Sequence, residues 1–70
     1  MNTETLTILI YKRENQMMEK VIRFEIPLDA SEERIKGICD RLVKGWEIDS
    51  KSVGPHYCTW ITPSGKLGIQ

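Results

Sequence analysis

Six apolar residues, Ile35, Ile38, Cys39, Leu42, Val43 and Trp46, fall at offsets 0, 3, 4, 7, 8 and 11, and every residue between them is charged or glycine. That spacing places all six on one stripe of an α-helix, which must bury that stripe against something else. Ser31 stands ahead of it as the N-cap, with Glu32 and Glu33 in the first turn, where the helix dipole favours negative charge. Asp29 with Glu32 forms a rival capping box two residues earlier. Lys44 sits in the expected last turn. Gly45 is placed as a left-handed C-cap, with Trp46 folding back over the helix end.

Two stretches with a different period precede this helix. In Leu6-Thr7-Ile8-Leu9-Ile10-Tyr11, residues Leu6, Ile8 and Ile10 share one face and Thr7, Leu9 and Tyr11 the other. In Lys20 to Ile26, residues Ile22, Phe24 and Ile26 alternate with Val21, Arg23 and Glu25. Period-two alternation of β-branched and aromatic residues marks half-buried strands. The polar segment Lys12 to Gln16 suits a hairpin loop between them, and Pro27 ends the second strand. Beyond the helix, Glu47 to Val53 reads as a weaker strand, broken by Gly54-Pro55. Tyr57 to Thr62 is a strong strand former, closed by Pro63 and a Ser64-Gly65 turn. Leu67 to Gln70 adds a short strand or trails off.

The expected architecture is a small α+β domain over residues 1–70, ordered ββαββ in two layers. One helix packs on one face of a four-stranded sheet, which is either antiparallel throughout or β-grasp-like, with the last strand parallel to the first. The run ILIYKRENQMMEKVIRFEIPLDASEERIKGI resembles the opening hairpin and helix of ubiquitin-like domains in length, phase and polar helix cap. The resemblance implies the β-grasp order. The ending Leu67-Gly68-Ile69-Gln70 is no diglycine, so a conjugable modifier is not expected. Separately, RLVKGWEI is similar to the helix–Gly–Trp–Glu–strand junction of some small bacterial domains.

Seventy residues allow only a marginal core, hiding ~60% of the surface that the unfolded chain exposes. Hydrophobic content of 40% with 29% charged residues argues against disorder. Ten basic and ten acidic residues cancel, which removes the long-range field that draws a chain to nucleic acid or anionic lipid. No apolar run approaches membrane-spanning length, and no signal peptide is expected. Two cysteines without an export signal suggest a reducing, cytoplasmic setting.

The residues that carry chemistry elsewhere are badly spaced for it here. Cys39, His56 and Cys58 offer three zinc ligands where structural sites use four in close pairs. His56 and Cys58 share a strand face about 7 Å apart, too far for a nucleophile and its base. Cys39 is expected in the helix–sheet interface, His56 at the surface, and a Cys39–Cys58 disulfide is disfavoured by the reducing setting. Glu32, Glu33, Asp40, Glu47 and Asp49 read as a solvated surface, and the glycines form no phosphate loop. Neither a metal, nor a small-molecule cofactor, nor enzymatic activity is expected.

The stronger candidate is the sheet face that one helix cannot cover. It carries Leu9, Tyr11, Val21 and Arg23, together with either Tyr57 or Trp60. Parity decides between the aromatics, and the favoured setting points Trp60 outward with His56. Exposed aromatic, aliphatic and arginine side chains suit a protein contact, with a separate partner or a second copy in a homodimer. Binding of single-stranded nucleic acid on the same platform ranks behind it, for want of positive charge.

Overall fold

A computed structural model describes residues 2–70. The chain runs β1 (Thr3–Lys12), β2 (Met18–Pro27), α1 (Glu32–Ser50), β3 (His56–Ile61) and β4 (Leu67–Ile69). The strands form one sheet ordered β2-β1-β3-β4, and every pairing is antiparallel. The ββαββ order and the single helix on one sheet face stand as expected. The β-grasp alternative does not, because β3 lies antiparallel to β1.

The core forms where the two periodicities meet. Leu6, Ile8 and Ile10 of β1 are fully buried, flanked by Ile22, Phe24 and Ile26 of β2 and by Cys58 and Trp60 of β3. From the helix come Ile35 and Cys39, with Ile38, Leu42, Val43 and Trp46 packed around them. Ser31 is the N-cap: its hydroxyl accepts from the Arg34 N–H at 3.2 Å. Glu32 and Glu33 occupy the first turn, where the unpaired N–H groups attract negative charge.

Two expectations fail at the other end of the helix. Gly45 is not a cap; α1 runs through it to Ser50 and ends at Lys51, whose φ of 57° is the left-handed turn. The segment from Glu47 is therefore helical rather than a third strand, and RLVKGWEI holds no helix–strand junction. The strand count survives because Leu67–Ile69 pairs as β4. The added turn is held by contacts distant in sequence. Trp46 Nε1 donates to Glu19 at 3.0 Å, and the Lys20 ammonium lies 5.6 Å from the Trp46 ring.

Trp60 is the third correction. It faces the helix and is 3% exposed. Both settings of β3 offer apolar residues, but Gly68 sits opposite Trp60 in β4 and leaves a space that only the indole fills. Tyr57, Thr59 and Ile61 consequently face outward.

Candidate functional site

The uncovered face of the sheet is built in cross-strand rows. One row runs Val21, Leu9, Thr59, Ile69, and the next runs Arg23, Thr7, Ile61, Leu67. A third sets Met18 beside Tyr11 and Tyr57. Residues opposite one another in these registers have side chains in reach of each other. The β2 end of the face is charged, with Arg23 beside Glu25, which accepts from the Thr5 hydroxyl at 2.6 Å. The β3–β4 end is apolar, and Ile61, Leu67 and Ile69 are 50%, 67% and 65% exposed. With Leu9 they line a shallow groove of about 480 Å³.

Of the residues expected to bind, Leu9, Tyr11, Val21, Arg23 and Tyr57 share this face, and Trp60 does not. Tyr11 and Tyr57 stack with ring centroids 5.2 Å apart and planes at 13°, and the Arg13 guanidinium lies 5.0 Å from the Tyr57 centroid. Arg23 stands two rows away on β2 and is no part of that cluster. Ile61, Leu67 and Ile69 were absent from the expected set. Ile61 shares the parity of Tyr57 on β3, and Leu67 and Ile69 join it only through the β3–β4 register.

A second constellation lies under the C-terminal turn of α1. The β1–β2 register slips between Ile10 and Tyr11, leaving Glu19 as an extra residue on β2. Such a bulge re-aims a side chain. Glu19 reaches the helix side and accepts from Trp46 Nε1 at 3.0 Å and from the Ser52 hydroxyl at 2.8 Å. His56 sits between two carboxylates, with Nε2 2.9 Å from Glu19 and Nδ1 2.6 Å from Glu47. Its side chain is fully buried, so it is no surface histidine.

Ser52 Oγ lies 2.9 Å from His56 Nε2, and Glu47 holds the opposite nitrogen, the distances of a Ser–His–acid array. Burial opposes a proton on His56, but hydrogen bonds to Glu47 and Glu19 and the attraction of both carboxylates outweigh it and raise the pKa above its ordinary value. Hydrogen bonds from Trp46 and Ser52, aided by His56, hold Glu19 down to about 2 against the effect of burial. The two carboxylates thus favour the protonated imidazole, and the Ser52 hydroxyl donates to Glu19. The array ties α1, β2 and β3 together. Nothing periodic in the sequence marks it; the only hint is a lone histidine at a strand start.

The opposite end of the interface is closed by another carboxylate. Glu4 accepts from the Ser64 N–H at 3.0 Å and the Ser64 hydroxyl at 2.7 Å, with Lys66 Nζ at 3.4 Å. Burial raises the Glu4 pKa, but these contacts together bring it below the ordinary value. Between the two clusters Cys39 and Cys58 are free, fully buried and close enough to influence each other. That contact and burial push the Cys39 thiol up, away from the reactive thiolate. Among the described residues no group of His, Cys, Asp and Glu is arranged to hold a metal ion, and no helix is long and apolar enough to cross a membrane.

No protein-family model, curated protein or solved structure matches the chain.

Proposed function

We propose that this chain is a non-enzymatic protein-interaction module that docks a partner on the uncovered sheet face, centred on Leu9, Ile61, Leu67 and Ile69. The observation that carries the reading is the grouping of those four residues around one groove, three of them at least half exposed. Contiguous exposed apolar surface with a polar border is how interaction sites differ from scattered surface residues. Tyr11, Tyr57 and Val21 extend the patch, while Arg23, Glu25 and Arg13 border it. The buried, free cysteines suit a reducing, cytoplasmic compartment.

The test compares wild type with an Ile61→Lys/Leu67→Lys variant in affinity capture from the host. Both substituted positions are exposed, so circular dichroism and Tm stay close to wild type, and the variant loses the captured partner. A Lys44→Ala control on the solvent side of α1 keeps it. Retention of the same partner by the double variant ends the reading.

The Tyr11–Tyr57 stack under Arg13 favours a second reading, in which the face binds single-stranded nucleic acid. Zero net charge weighs against it. A salt-dependent titration with a labelled oligonucleotide tests it directly, and no binding at low salt removes it.

A further inference from the structure

The two edges of the sheet are guarded differently. β2 carries Lys20, Arg23 and Glu25 and closes on Pro27. Charge and proline are the devices that keep an exposed strand from pairing with another chain. β4 has neither: its residues are Leu67, Gly68 and Ile69. Lys66, just before it, is already engaged by Glu4 and by the Leu28 carbonyl.

The ladder also fixes which backbone groups of β4 are free. Cys58 and Gln70 exchange both of their N–H···O=C bonds, at 3.2 and 2.9 Å. Bonded and non-bonded pairs alternate along an antiparallel ladder, so Gly68 bonds to Trp60. The N–H and C=O groups of Leu67 and Ile69 therefore point to the open edge.

We propose that β4 pairs antiparallel with β4 of a second copy of this chain, about a two-fold axis at Gly68, so that one sheet runs through both copies. This deepens the interaction reading by naming the partner, and it rests on that reading for the apolar face. An antiparallel edge is complementary to itself under two-fold symmetry. Leu67 of one copy falls opposite Ile69 of the other, and each pair exchanges backbone hydrogen bonds in both directions. On the uncovered face Leu67 and Ile69 of the two copies meet, joining the two apolar grooves into one strip. Charge permits the approach, because the chain is neutral overall and the edge itself bears no charge. A three-residue edge places the contact at the small end of interface sizes, so half-assembly is expected at roughly 100 µM.

Sedimentation velocity on the full chain, from about 10 µM to about 1 mM, reads the dimer directly. In the same range, amide exchange at Leu67 and Ile69 slows several-fold while that of β2 stays constant. Ile69→Pro removes an outward N–H and no bond of the β3–β4 ladder, and it leaves Leu9, Ile61 and Leu67 in place. It is expected to be monomeric throughout, whereas Ile69→Val still pairs. Should Ile69→Pro fail to fold, Leu67→Lys places a charge on the same edge and abolishes the dimer equally. Wild type that stays monomeric at the highest concentration overturns self-pairing, as does a dimer that survives these substitutions. Either result leaves the capture experiment with Ile61→Lys/Leu67→Lys to decide the interaction reading separately.

Discussion

Gly68 and Trp60 face each other across β3 and β4, and a Cβ built on Gly68 would lie 2.3 Å from Trp60 Cζ2. No real Cβ contact is that short, so any larger residue must displace the indole. Gly68→Ala is expected to destabilise the fold by about 2 kcal/mol, the usual cost of overpacking a filled core. Chemical denaturation measures it. A shifted tryptophan emission in the folded state, absent in a Trp60→Phe background, identifies the indole as the group that moves.

Gly45 makes the opposite case. It lies inside α1, and a Cβ there would meet nothing within 4 Å. Gly45→Ala should therefore stabilise the protein by about 1 kcal/mol, the difference in helix propensity between the two residues. A left-handed glycine cap would respond with a loss, because alanine is strained there. The sign of the change in Tm separates the two.

The carboxylate and histidine clusters set the pH range of greatest stability. Glu19 is depressed from its ordinary 4.5 to about 2, so its contribution is present above 4.5 and disappears as pH falls toward 2. Glu4 is shifted in the same direction and adds to the acid limb. His56 is raised, so its contribution is complete below its ordinary 6.5 and is lost as pH rises through the folded-state value. Tm should be highest between about 4.5 and 6.5 and decline on both sides. His56→Gln is expected to flatten the alkaline limb and leave the acid limb to Glu19 and Glu4; an unchanged alkaline limb contradicts the assignment.

Both thiols should be slow. Cys39 and Cys58 are completely buried, and Cys39 is held in its protonated form. Alkylation at neutral pH is expected to follow the opening of the fold, with both cysteines modified together and faster in mild denaturant. Rapid labelling of one thiol in native buffer is incompatible with this packing.

Local pattern alone placed β1, β2, the helical stripe and the Ser31 cap, because one-sided burial imprints its period on neighbouring residues. Leu6, Ile8, Ile10, Ile22, Phe24 and Ile26 all face the core that their alternation implied. Three features lay beyond that logic. The helix passes Gly45 because Trp46 and Glu47 find Glu19 and His56, partners distant in sequence that the β2 bulge and the β3 start bring within reach. Trp60 turns inward because β3 is apolar on both parities, and only Gly68 across the sheet breaks the tie. The lone histidine is buried with its protonated form favoured for the same reason: two carboxylates from other elements reach its ring. The residue types themselves determined the layers and their facing. Which side chains met at the ends of those layers was decided by contacts that form only when the chain closes.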